Sequence, residues 1–176
     1  ADVARRFKAG INQPVCLYGV LPDAGPIHAT MAADDIAVRN AWTSASDEAF
    51  QIVGPEVDAF CPWIYTFFGG ETEAELDSWI ENWKLYARET IAEARRVAPD
   101  MPVYPLIWPQ YHQGGSYTDF RYIEDRYWRA QLELMRDLAD GVIIWGGWNF
   151  QTDRQKPFDP NASWYRIYQE VFGQHP

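Results

Sequence analysis

Four short apolar runs recur roughly every 40 residues along this chain, and each finishes in tryptophan, tyrosine or proline: "VCLYGVLPD", "VDAFCPWIY", "PVYPLIWPQY" and "DGVIIWGGW". They are continuous apolar stretches rather than alternations, the pattern of strands covered on both faces. The strands are expected at about 14–20, 57–67, 102–108 and 142–145. A loop and a stretch with helical spacing follow each one. After the first, "SASDEAFQIVG" has a serine start and a Gly54-Pro55 stop. After the second, Thr72 and Glu75 stand at capping-box spacing. Leu76, Ile80, Trp83, Ala87, Ile91 and Ala94 then form one apolar stripe, and Pro99 ends it. The third helix carries Ile123, Tyr127, Ala130, Leu134 and Leu138. The fourth, "WYRIYQEVF", is closed by Gly173. The opening "ADVARRFKAG" reads as the end of a helix stopped by Gly10.

Four consecutive β–loop–α units predict an α/β fold with a parallel sheet. An open doubly wound sheet and a (β/α)8 barrel compete. No Gly-rich phosphate loop follows any strand, which weighs against a nucleotide-binding open sheet. A whole barrel takes about 250 residues, and this chain has 176. The expectation is one partial domain over 1–176, half of a (β/α)8 (TIM-like) barrel. Its amino-terminal half-barrel would come from the same polypeptide or from a partner chain.

A formal net charge of −10 argues against nucleic acid or an anionic membrane surface as partner. No long apolar segment spans a membrane, and the opening residues lack the apolar centre of a signal peptide. Cys16 and Cys61 each fall in an expected buried strand. Two buried free thiols is the favoured reading, with a disulfide open if the strands are neighbours. No His, Cys, Asp and Glu cluster has metal-ligand spacing, so neither metal nor other cofactor is expected. The sequence "NAS" at 161–163 matches a glycosylation acceptor, but a helix N-cap explains it better.

In a barrel the active site lies at the carboxyl ends of the strands. Those ends carry Tyr18 and Asp23; Trp63 and Tyr65; Trp108, Tyr111 and His112; Trp145, Trp148 and Asn149. The other ends of the same strands begin with Val15, Val57, Val103 and Val142. Aromatic faces gathered at one mouth fit a sugar-binding cleft. His112 is a candidate ligand contact, and His28 and His175 carry less weight. Glycoside hydrolysis needs two carboxylates flanking the bond. Glu71 and Asp119 are accounted for as helix starts, Asp58 begins a strand, and no pair stands out.

Four segments give the chain a resemblance to the carboxyl-terminal half of hyaluronidase-like glycoside hydrolases. "LYGVLPD" (17–23) is similar to that family's fifth-strand segment and "CPWIY" (61–65) to its sixth. "PVYPLIWPQY" (102–111) is similar to the seventh, and "GVIIWGG" (141–147) to the eighth. The likeness departs at Ala24-Gly25, where the family has a tyrosine. The resemblance implies a substrate-assisted, retaining mechanism in which a sugar's N-acetyl group attacks its own anomeric carbon. A glutamic acid protonates the leaving oxygen and an aspartate steadies the acetamide, both from a strand that these segments do not include. It further implies that Tyr65 hydrogen-bonds the acetamide carbonyl and that Trp145 walls the pocket. The acidic balance favours a neutral polysaccharide at least as much as a polyanionic one. An extracellular or periplasmic location goes with that substrate class. The alternative is a non-catalytic carbohydrate-binding or assembly protein. A sugar-phosphate aldolase or isomerase ranks last, because no strand-end lysine or phosphate-gripping loop supports it.

Overall fold

Helices dominate the chain, and the strands are two or three residues long. The computed structural model describes residues 2–10, 12–22, 30, 32–117 and 120–173. In chain order the elements are α1 (Asp2–Gly10), β1 (Cys16–Tyr18), α2 (Ile36–Val53), a 3-10 turn (Gly54–Glu56), β2 (Ala59–Cys61) and α3 (Glu73–Val97). Then come β3 (Leu106–Ile107), α4 (Asp125–Leu138), β4 (Ile143–Ile144), β5 (Trp148–Asn149), β6 (Arg154–Gln155) and α5 (Ser163–Phe172).

The expected half of a (β/α)8 barrel, built from four consecutive β–loop–α units, is overturned. About 51% of the described residues are helical, and their strands form three separate two-stranded sheets. β1 pairs parallel with β2, β3 parallel with β4, and β5 antiparallel with β6. The reason lies inside the apolar runs. Pro62 directly follows β2, and Pro105 and Pro109 bracket the third run, so backbone donors are missing where a ladder would continue. The first run stops at Gly19, whose φ of 64° turns the chain out of the strand. The second and third runs are buried as expected, whereas β1 is half-buried to exposed and Ile143 of β4 is 39% exposed. An apolar run thus fixes neither its own burial nor how many of its amides find a ladder partner.

The chain divides into two compact units. The first comprises Ala1–Ile64, Leu85–Pro105 and Ala139–Gly141, and the second Tyr65–Lys84, Leu106–Leu138 and Val142–Pro176. The expected strands 57–67 and 102–108 are thus each shared between units.

In the first unit, β1 and β2 run in register with Cys16 opposite Ala59 and Tyr18 opposite Cys61. That neighbourhood brings the Cys16 and Cys61 Cα atoms to 5.9 Å, and the two form a disulfide. The free-thiol reading is corrected, because linear spacing does not show that two strands are adjacent. The next extended segment joins through Phe60, whose N–H donates to the Pro102 carbonyl and whose carbonyl accepts from Tyr104 N–H, both at 2.8 Å. α2 starts at Asp35, not at the serine: its Oδ1 accepts from Ala37 N at 2.8 Å and Val38 N at 3.2 Å. The Gly54-Pro55 stop is where expected.

The capping box opening α3 is formed, with Thr72 Oγ1 accepting from Glu75 N at 3.3 Å and Glu75 Oε2 accepting from Thr72 N at 3.0 Å. These bonds hold the Glu75 carboxyl below its ordinary range. All six residues of the expected stripe are buried. In the second unit, α4 buries a broader face than expected, with Trp128, Gln131, Leu132 and Met135 added to Tyr127 and Leu134, while Ala130 and Leu138 stay half-buried. α4 packs on α5, where Trp128 Nε1 donates to the Trp164 carbonyl at 2.8 Å. Asn161 does not cap α5. The N-cap is Ala162, and Ser163 Oγ donates instead to Asp125 Oδ2 at 2.6 Å.

Two outcomes follow in the first unit. The disulfide closes a sequence separation of 45 residues, a loop whose closure entropy corresponds to about 4 kcal/mol. Cys16→Ser/Cys61→Ser is expected to lose about 2–4 kcal/mol in urea unfolding. Asp140 accepts from Val103 N at 2.8 Å and Arg95 Nη2 at 2.7 Å, which lowers its pKa, the backbone bond being the larger cause. A depressed folded pKa stabilises above the unfolded value and loses that stabilisation as pH falls through the folded one. Asp140→Asn should therefore destabilise at pH 7, with the deficit shrinking as pH falls below the ordinary carboxylate range, as read by urea midpoints.

Candidate functional site

The second unit gathers most of the strand-end aromatics around one histidine. Thr66 bridges Tyr111 in parallel sense, and His112 N–H donates to the Thr66 carbonyl at 2.7 Å. Tyr65 and Phe67, two apart on extended backbone, point to the same side, and the His112 ring contacts both. It stacks on Tyr65 at 5.2 Å with 10° between planes, lies 4.9 Å from Phe67, and meets Trp108 edge-on at 6.0 Å. Tyr65 also meets Trp108 edge-on at 6.0 Å. His112 Nδ1 sits 2.6 Å from the Gln113 carbonyl. A carbonyl only accepts, so Nδ1 is the donor in this contact.

Trp108 is held by its own indole, since Nε1 donates to the Gly146 carbonyl at 2.8 Å. Next to that carbonyl, Trp145 N–H donates to Ile107 O at 2.9 Å, and the Trp145 side chain is 50% exposed. Gly146-Gly147 leads into the β5–β6 hairpin, which carries Trp148 and Asn149. Asn149 Oδ1 accepts from Thr152 N at 3.2 Å and so closes the hairpin turn.

The loop beside His112 approaches residue 67 very closely. Ser116 N donates to the Phe67 carbonyl at 2.9 Å, and a Cβ on Gly115 would lie 1.5 Å from that oxygen. Only glycine fits there. Tyr111 is fully buried, which leaves no face of its ring for a ligand. Its hydroxyl donates to Glu124 Oε2 at 2.5 Å, and burial, then the carboxylate, pushes the phenol far above its ordinary range. Glu124 also pairs with Arg121 at 2.8 Å, and that guanidinium lies 3.8 Å from the Tyr117 ring centroid. This carboxylate is thereby committed to structure.

Of the residues singled out by sequence, Tyr65, Trp108, Tyr111, His112, Trp145, Trp148 and Asn149 share the second unit. Tyr18 and Trp63 belong to the first unit. There Tyr18 is 55% exposed and the Trp63 indole packs against Gly19. Asp23, His28, Asp119 and His175 lie outside the described residues. Phe67, Gln110 and Phe120 were not anticipated. Phe67 had a usable signal, being two residues beyond Tyr65 in the same run; the other two had none.

A separate cleft of about 400 Å³ in the second unit is lined by Tyr122, Ile144, Lys156, Phe158, Tyr165 and Tyr168 among others. Lys156 Nζ stands 4.5 Å from the Tyr122 ring centroid. None of the candidate site residues lines it. Among the described residues no three His, Cys, Asp or Glu side chains come together as a metal site, and no helix is long and apolar enough to cross a membrane. No family model, curated protein or solved structure matches the chain.

Removing only the Tyr111 hydroxyl tests its structural part. Tyr111→Phe is expected to cost about 1–3 kcal/mol in urea unfolding, the penalty for a weakened charge-assisted bond.

Proposed function

We propose that the aromatic cluster of the second unit is the sugar-binding part of a glycoside hydrolase acting on a polysaccharide, with N-acetylated sugars as the favoured units. The observation that carries this reading is the grouping in one unit of Tyr65, Trp108 and His112, in mutual ring contact, with the half-exposed Trp145 on the adjoining strand. Aromatic faces accept the C–H faces of sugar rings, and a half-exposed tryptophan suits that use. The resemblance to hyaluronidase-like hydrolases supplies the roles. The Tyr65 hydroxyl orients the acetamide carbonyl and Trp145 walls the acetamide pocket. A phenol and an indole hold an amide in attack geometry and keep water from a cationic intermediate.

The acid pair for such a substrate-assisted, retaining reaction is assigned to polypeptide outside these residues. Glu124, the carboxylate next to the cluster's loop, is committed to Tyr111 and Arg121. The Cys16–Cys61 disulfide fits an oxidising, extracellular or periplasmic, compartment. A second reading, non-catalytic carbohydrate binding, is favoured by the absence of an uncommitted carboxylate pair in the cluster among the described residues.

Tyr65→Phe and Trp145→Ala separate function from folding. Each is expected to weaken binding of tetra-N-acetylchitotetraose at least ten-fold by calorimetry, with the melting temperature held within about 3 °C. Turnover should fall likewise in a protein that carries the acid pair. Wild-type affinity in both variants ends the assignment, and binding without hydrolysis in that protein selects the second reading.

A further inference from the structure

We propose that Gln110 is a positioning residue of the aromatic site, and that the Phe120 ring it fixes is a wall contacting ligand and selecting an uncharged sugar ring. The choice of ligand rests on the saccharide reading above, whereas the positioning does not.

Gln110 is fully buried, and its side-chain amide is used almost to capacity. Nε2 donates to the Phe120 carbonyl and, at 3.0 Å, to the Trp148 carbonyl. Oε1 accepts from Trp148 N–H at 2.6 Å. The partners settle which way the amide points, because an N–H can only donate and a carbonyl can only accept. One side chain therefore fixes two segments lying 10 and 38 residues further along the chain. It serves Trp148 as a neighbouring strand would, exchanging both backbone bonds.

Phe120 is held in an unfavourable backbone conformation. Its φ is 54°, in the left-handed region that suits glycine or asparagine and not phenylalanine. Strain of this kind persists only where surrounding structure over-determines it, and here the Phe120 carbonyl is gripped by Gln110. What the strained backbone achieves is placement of the ring, 5.3 Å from Trp108 and 5.7 Å from Phe150. Phe150 is 52% exposed. The aromatic surface thus runs from the buried Tyr65 and Trp108 and the half-buried His112 through Phe120 to an exposed edge. A phenyl face offers no hydrogen bond and no charge. It takes the C–H face of a neutral hexose or N-acetylhexosamine and gives nothing to a carboxylate or sulfate.

The experiment uses the whole chain with tetra-N-acetylchitotetraose as probe, followed by calorimetry, thermal melting and amide hydrogen exchange. Phe120→Gly suits the left-handed backbone. It is expected to keep the wild-type melting temperature while weakening binding five-fold or more, and Phe120→Tyr should restore the affinity. Gln110→Leu should raise amide exchange across 146–156 at least ten-fold and weaken binding in step. Gln110→Glu, which keeps the acceptor and loses both donors, serves the same comparison if the leucine variant does not fold. Unchanged affinity in Phe120→Gly beside impaired Trp145→Ala overturns the wall and leaves the saccharide reading standing. Wild-type affinity in both Trp145→Ala and Tyr65→Phe ends that reading instead, and a wild-type chain that does not bind the tetraose overturns both. Unchanged exchange across 146–156 in the Gln110 variants overturns the positioning, whatever the ligand does.

Discussion

Extended backbone that lacks a strand neighbour must still satisfy its buried N–H and C=O groups. This constraint accounts for a distinct set of side-chain hydrogen bonds in the protein. Its ladders are only two or three residues long, so side chains stand in for missing strands. Asp58 accepts from Val15 N, and Asp140 from Val103 N. Tyr86 Oη donates to the Trp63 carbonyl and Trp108 Nε1 to Gly146. Gln110 does both jobs at once for Trp148. The high aromatic content has a structural use here, because Tyr and Trp bury a large apolar body while carrying one polar group to a backbone partner.

The same constraint separates aromatics with structural duties from those left over. Tyr111, Tyr127 and Trp128 are fully buried and hydrogen-bonded. They sit on loops and helices much like those of the proposed site residues, yet they offer no face to a ligand. Trp145 and Phe150 are at least half exposed. An apolar ring left in water at the end of a packed ring cluster is the feature that the saccharide reading uses. The proposal also explains why the loop at 112–116 is drawn so tightly onto Phe67. Gly115 leaves the Phe67 carbonyl room to pair with Ser116, and the His112 ring is thereby kept between Tyr65 and Phe67.

Local patterns were readable where local physics governs. Thr72, Glu75 and the stripe from Leu76 to Ala94 specify α3 through bonds and contacts within a few residues, and the helix forms at Glu73–Val97. The Gly54-Pro55 stop belongs to the same class. The start of α2 was misplaced because several polar residues could cap it, and Asp35 does so. Strand lengths were overestimated because an apolar run fixes neither burial, as the exposed Ile143 shows, nor how far a ladder extends, which the prolines in the second and third runs limit.

By itself, then, the sequence determined the helices, the acidic surface and which residue types gather at the ends of the apolar runs. These depend on spacing along one chain and on composition. Only the tertiary structure decided that Cys16 meets Cys61, that the strands form three small sheets, and that Tyr111 is spent inside while Trp145 is exposed. It also decided that Gln110 clamps Phe120 and Trp148. Apart from the β5–β6 hairpin, each of these joins residues from 10 to 45 positions apart, or turns on which neighbours cover a ring. No periodicity in a linear sequence encodes such pairings, because they arise from which elements pack together and which backbone groups are then left to satisfy.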